Sequence, residues 1–207
     1  MNFKIYIAGP EVFLSNAREV LNAKAALARA YGFTPICPGD LEIPESDNRG
    51  HAINAIDEQM MDSADGIIAN LTPFRGIACD TGTAYEVGYM CAQGKKAYGY
   101  TNVAADHFAR ARDFYSGSVV EDADGHLRGP DGLSLENFGM VDNLMLQGGI
   151  ERRGGQVFVH PARSDARYTD LTAYEQCLEA LARRLADDVA NRDELIRPED
   201  LDSSNDG

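Results

Sequence analysis

Three carboxylates in this 207-residue chain fall where side chains can do chemistry: Asp57, Asp80 and Glu86. Asp80 opens an expected helix, and Glu86 sits in its second turn, after a short apolar strand and a loop with Pro73, Arg75 and Gly76. The positive end of a helix dipole favours an ionised carboxylate there by ~0.3–1 kcal/mol. An anionic carboxylate is a nucleophile. Asp57 lies beside the apolar stripe Ile53, Ile56, Met60 and Met61 of a second expected helix. There it suits a general acid or base, a role worth about 10²–10⁴-fold in rate. Plain structural roles fit the same positions, with Asp80 as an N-cap and Asp57 and Glu86 on solvated helix faces. Tyr6, Tyr85 and Tyr89 supply phenols that can orient a carboxylate in a chain without Trp. Gly82 and Gly88 each cost a helix about 1 kcal/mol relative to Ala, which points to close approach by a ligand or another element.

Other chemistries lack their signatures. No G-x-G-x-x-G follows the first strand, and G-x-x-x-x-G-K-[ST], H-E-x-x-H and G-x-S-x-G are absent. The run EDADGHLRGPDG has Leu133 where a calcium loop counted from Asp122 needs Glu, so it reads as a turn. Cys37, Cys79, Cys91 and Cys177 are far apart and the four His are isolated, which fits free thiols and a protein without metal or cofactor. A net charge of -14 repels phosphate backbones and anionic lipid, so neither nucleic acid nor membrane is an expected partner. No apolar run approaches the ~20 residues of a spanning helix, and the N-terminus enters a strand pattern directly; a cytoplasmic location is expected. Residues 187–207 carry eight acidic and two basic side chains and read as a partly disordered tail, leaving one catalytic domain over 1–186.

The elements that would position the carboxylates alternate strand and helix. Residues 3–8 form a strand ending at Gly9-Pro10. A helix follows, capped by Ser15, striped by Val20, Leu21, Ala25, Leu27 and Ala28, and ended by Gly32. Strands are expected at 33–37, 66–71, 96–101 and 156–159, with helices at 51–63, 80–93 and 140–146 and a Pro/Gly/Asp-rich loop at 38–50. Residues 114–135 interrupt the pattern as an inserted loop or hairpin turning at Asp124-Gly125. Asp170 caps a last helix striped by Leu171, Tyr174, Leu178, Leu181, Leu185 and Val189. The fold class is α/β, a five-stranded parallel doubly wound sheet of flavodoxin or Rossmann type. Such sheets bind ligands beyond the carboxyl ends of their strands, here loops 9–13, 38–42, 72–80 and the region after Thr101.

Four segments carry a resemblance: IYIAGPEVF from Ile5, SADGIIANLTPFRG from Ser63, DTGTAYEVGYMCAQGKK from Asp80 and MVDNLML from Met140. Together, over about residues 5–146, they resemble the nucleoside 2-deoxyribosyltransferase family. The resemblance implies ping-pong exchange of a 2-deoxyribosyl group between nucleobases through a covalent glycosyl-enzyme, with secondary hydrolysis. It makes Glu86 the nucleophile at C1′, Tyr6 its orienting partner, Asp57 the acid for the departing base, and Asp80 a sugar ligand or an aid to the base. Gly9, Phe13 and Glu42 would line the base pocket. Asn143, with Met145 beside it, would reach into a neighbouring subunit, so a homodimer or larger assembly with shared sites is expected. Its partners would be 2′-deoxynucleosides and free nucleobases. The chain departs from many relatives in having Asn70 for Asp at the end of the third strand, which leaves a charge missing, and in the 114–135 segment and acidic tail. Other readings stay open: a nucleoside or deoxynucleotide N-glycosidase with water as acceptor, although acidic Glu11 in GPEVF disfavours phosphate; a non-catalytic nucleoside-binding module; and a flavodoxin-like FMN protein, which lacks its hydroxyl-rich loop here.

Overall fold

The structure, a computed structural model, describes residues 3–195. Five parallel strands form one sheet: β1 (Lys4–Ala8), β2 (Thr34–Ile36), β3 (Gly66–Asn70), β4 (Lys96–Thr101) and β7 (Val157–Val159). Their order is β2-β1-β3-β4-β7, with Tyr6 opposite Ile67 and Ile67 opposite Ala97 in register. Crossovers run through α1 (Ala17–Ala30), α2 (Arg49–Ser63), α3 (Thr81–Ala92), α4 (His107–Phe114) and α5 (Leu144–Glu151), and α6 (Thr172–Leu195) closes the fold. A two-residue pair, β5 (Val120–Glu121) and β6 (Leu127–Arg128), stands apart.

Strand periodicity sorts the core into two layers. Ile5, Ile7, Ile68, Tyr98 and Tyr100 face α1 and α6, meeting Leu21, Ala25, Tyr174, Leu178 and Leu181. Tyr6, Ala8, Ile67, Ala69 and Ala97 face the opposite layer, with Met60, Met61, Val87, Met90, Leu146 and Ile150. Coverage on both faces explains why β3 is buried at every position. Among the described residues no helix is long and apolar enough to cross a membrane.

Several boundaries differ from the sequence expectation. A 3-10 turn, Pro10–Phe13, precedes α1, and Asn16 stands at the N-cap without a side-chain bond, so Ser15 is not the cap. The first turn of α2 begins at Arg49, where Asn48 accepts the His51 N–H at 3.2 Å. Asp106 caps α4, which periodicity did not reveal, by accepting the Ala109 N–H at 2.7 Å. The helix expected at 140–146 starts instead at Leu144 and runs through Gly148 and Gly149, residues that disguise its second half. Residues 187–195 continue α6 rather than begin a tail, and Asp188 pairs with Lys96 at 2.6 Å. The remainder of the expected tail, 196–207, lies outside the described residues. Residues 114–135 do contain a hairpin, with Gly125 at φ 82 in its turn.

At the carboxyl edge of the sheet lies a buried ionic knot. Glu11 Oε1 accepts from Lys24 Nζ at 2.7 Å, Asn70 Nδ2 at 3.0 Å and Tyr100 Oη at 3.0 Å. Both charged residues are fully buried, and Lys24 Nζ also lies 5.5 and 5.0 Å from the Tyr100 and Tyr174 ring centroids. The charge expected to be missing at Asn70 thus stands next to it, on Glu11. Lys24 pairs with that carboxylate out of reach of solvent, which offsets part of the phosphate-repelling charge that the loop sequence suggested. Removing one partner of a buried pair costs about 3–5 kcal/mol, whereas apolar replacement of both is often close to neutral. Lys24→Met is therefore expected to lower unfolding stability by about that amount, and Lys24→Met with Glu11→Leu to recover most of it, in urea melts. A single-variant loss below about 1 kcal/mol would contradict the pairing.

Candidate active site

A cavity of about 560 Å³ opens beyond the carboxyl ends of β1 and β2, between α1, α2 and the start of α3, and Asp57, Asp80 and Glu86 all line it. They arrive from two helices, Asp57 from α2 and the other two from α3 and its cap. Tyr6 projects from the middle of β1 into the layer that holds α3, and its hydroxyl donates to Glu86 Oε1 at 2.8 Å. Asp80 caps α3, with Oδ2 accepting from Thr83 N at 3.0 Å and Thr83 Oγ1 at 3.2 Å, and Glu86 follows about 1.7 turns later on the cavity side. Asp57 comes from the middle of α2.

The electrostatics depart from the helix-dipole expectation. Burial pushes Glu86 up to about 8, opposed by the hydrogen bond from Tyr6 and reinforced by the negative charges of Asp57, Asp80 and Glu11. One pKa unit corresponds to about 1.4 kcal/mol, so a dipole contribution of ~0.3–1 kcal/mol is outweighed by desolvation. Burial also raises Asp57 above the ordinary carboxylate range. The Tyr6 hydroxyl is driven upward, first by burial and then by Glu86 and Asp57, so it stays a proton donor to Glu86.

Gly9 and Phe13 line the same cavity. A Cβ on Gly9 would lie 2.0 Å from Glu11 Oε2, so only glycine fits over the buried carboxylate. Phe13 stacks on Phe74 with centroids 5.1 Å apart, and the Arg75 guanidinium lies 5.2 and 4.7 Å from the two rings, at a backbone φ of 53°. Arg75 thus closes an aromatic stack at the rim. Gly82 lines the cavity, but Gly88 faces open space, so the close approach expected there is not found among the described residues. Tyr85 and Tyr89 bond Glu58 and Asp62 of α2 instead of Glu86.

Three expected contacts are not in this cavity. Glu42 is exposed, and its neighbours Leu41 and Ile43 form the wall. Asn143 caps α5, its Oδ1 accepting from Met145 N at 3.0 Å, while Met145 is 73% exposed. Neither touches the pocket of its own chain.

The sequence reading missed a second buried hub. Arg110 donates to the carbonyls of Ile77, Ala105 and Val141 at 2.7, 2.6 and 2.7 Å, and its Nη2 lies 3.3 Å from Asp142 Oδ2. That same carboxylate oxygen accepts the Cys79 N–H at 2.8 Å. The residue before Asp80 is thereby pinned to the residue before Asn143. Asp142 was visible beside Asn143, but Arg110 lay in a stretch with no assigned element. Elsewhere, Asp122, Asp124 and His126 cluster on the hairpin, where Asp122 accepts the N–H groups of Asp124 and His126 and pairs with Arg128, as a turn requires. All four cysteines are buried free thiols.

The family profile described as nucleoside 2-deoxyribosyltransferase matches residues 5–145, the stretch that holds every residue of this site. The chain belongs to the nucleoside 2-deoxyribosyltransferase family. A 2-deoxyribosyltransferase from Leishmania mexicana is similar in structure, with a TM-score of 0.59, 31% identity, and coverage of 86% of this chain and 97% of that one. An uncharacterized protein of Schizosaccharomyces pombe is 29% identical over 195 residues, 87% of this chain and 89% of that protein. A conserved protein from Enterococcus faecalis V583 shares the fold at TM-score 0.52 and 18% identity, covering 89% and 99% of the two chains.

The raised value of Glu86 has a consequence for stability. Between its ordinary value of 4.5 and about 8 the folded chain binds more proton at Glu86 than the unfolded chain does, so stability falls as pH rises through that window. Glu86→Gln is expected to remove that part of the slope. Urea melts at pH 5 and 8.5 would show it as a smaller loss of stability in the variant; equal losses would contradict the assignment.

Proposed function

We propose that the protein exchanges the 2-deoxyribosyl group of a 2′-deoxynucleoside between nucleobases by a covalent, two-step mechanism. The observation that carries this reading is the hydrogen bond from buried Tyr6 to Glu86 in the wall of a cavity that Asp57 also lines. In the first step a Glu86 carboxylate oxygen attacks C1′ as the C1′–N bond breaks. The bonding pair leaves on the base nitrogen, and Asp57, as the carboxylic acid, supplies the proton the base takes up. In the second step a nitrogen of the incoming base attacks C1′, the C1′–O bond to Glu86 breaks, and the Asp57 carboxylate accepts the proton the base sheds. Glycosidases divide the same labour between two carboxyl groups. Asp80 is assigned to a sugar hydroxyl, and Gly9 and Phe13 to the wall against the base.

Asn143 and Met145 we assign to the pocket of a neighbouring subunit. Their absence from the cavity of their own chain and the exposure of Met145 support that placement.

Incubation with a deoxynucleoside and a second free base should give the exchanged nucleoside, and Glu86→Gln should lower its formation at least ~10³-fold, in line with loss of a covalent nucleophile. Mass spectrometry with a slow substrate should find a deoxyribosyl adduct on Glu86. Free sugar without exchanged nucleoside would turn the reading into a hydrolase, and an adduct on another residue would reject Glu86. Full activity in a species that sediments as a monomer would reject the shared pocket.

The carboxyl pair works with one proton between its two members, so kcat/KM should follow a bell-shaped pH profile. Its alkaline limb should fall near pH 8, where the last proton leaves. Tyr6→Phe removes the bond that lowers Glu86, so this limb should move to higher pH while kcat drops. An unmoved limb would show that Tyr6 does not act on the proton of Glu86.

A further inference from the structure

The polar lining of the cavity is lopsided. Asp57, Asp80 and Glu86 gather on the α2 and α3 side, and the Thr83 hydroxyl is committed to Asp80. Among the described residues that line the cavity, Arg18 is the only basic one. It stands in the first turn of α1, which packs on the opposite face of the sheet from α2 and α3, and is set among apolar walls that include Leu21, Leu41 and Ile53. Apolar walls with a few convergent polar groups hold a small ligand and fix its orientation.

The guanidinium is lightly held. Arg18 Nη1 lies 3.5 Å from Asp40 Oδ1, and Nη2 reaches the Gly39 carbonyl at 3.3 Å. Both contacts are longer than the ~2.7–2.9 Å of a tight charge-assisted bond. The side chain is 60% exposed, so its planar fork of donors has capacity for a ligand. Asp40, the acceptor nearest that guanidinium, has its other oxygen on the Cys37 N–H at 2.8 Å and does not line the cavity.

We propose that Arg18 selects nucleobases that carry an oxo group, rather than an amino group, on the edge remote from the sugar: 6-oxopurines over adenine, and uracil or thymine over cytosine. The inference rests on the exchange reading above and specifies its substrate class. With C1′ at Glu86, a base extends toward the α1 side of the cavity. A guanidinium only donates, so it pairs with acceptors and opposes an amino group. The O6 and N7 atoms of a 6-oxopurine accept both arms of the fork, which leaves N3 for Asp57. A pyrimidine offers O4 alone, so its discrimination is smaller.

The test compares kcat/KM for hypoxanthine against adenine, and for uracil against cytosine, as acceptors in wild type, Arg18→Met and Arg18→Lys. Calorimetric titration of free hypoxanthine and adenine into each protein runs beside it and needs no turnover. Wild type should favour the oxo purine by about 10- to 100-fold, the range of a bidentate base contact. Arg18→Met should bring both ratios toward unity, and Arg18→Lys, which keeps the charge and loses the fork, should retain part of the purine ratio. Equal or better use of amino bases by wild type, or ratios untouched in Arg18→Met, would overturn the proposal. Discrimination in binding with no exchange would instead overturn the exchange reading and leave Arg18 in place; exchange without discrimination would do the reverse.

Discussion

A carboxylate sealed from water must be matched on the spot, and the carboxyl edge of this sheet is organised around one that is. Glu11 collects a lysine from α1, an amide from the end of β3 and a phenol from β4 on a single oxygen. Isolated, that anion would carry a desolvation cost of several kcal/mol. Matched, it draws the loop after β1 inward and leaves room above it only for Gly9. Phe13 and the start of α1 follow from that path, so the wall of the cavity and the position of Arg18 both descend from one buried pair.

Glu86 poses the opposite problem. Its burial and its acidic neighbours disfavour the charge that a nucleophile needs, and Tyr6 offsets this only in part. In the proposed reaction, positive charge develops at C1′ as the base departs. A carboxylate that is poorly stabilised by its own surroundings then gains its best partner in the transition state, which is where an interaction accelerates chemistry. The same acidic surroundings would be a liability around an anionic intermediate and are an asset around an oxocarbenium-like one.

The β-α alternation was legible because buried parallel strands are continuous apolar runs, as in GIIAN, and because Asp80 and Asp170 stand where helix starts need acceptors. The acidic side chains of the site were legible by position relative to those elements. What escaped lay in local or long-range compensation. Gly148 and Gly149 hid most of α5, and the short, charged sequence HFARARDF hid α4. Acidic composition suggested a tail from Asp187 onward, yet α6 runs on to Leu195, with Asp188 paired to Lys96. Neither buried pair could be read from spacing. Glu11 and Lys24 lie thirteen residues apart, Arg110 and Asp142 thirty-two, and only the fold brings each couple together. The value of Glu86 was misjudged for a related reason: helix position is local, whereas desolvation is set by everything packed around it.

The Arg110 hub gives the molecule a mechanical property. One guanidinium grips carbonyls at Ile77 and Val141, and the carboxylate beside it grips the amide of Cys79. The chain just ahead of α3 and the chain just ahead of α5 are therefore tied directly to each other through one guanidinium and one carboxylate. A body that leans on Asn143 is in series with the helix that carries Glu86, as a load on one end of a rigid bar is felt at the other.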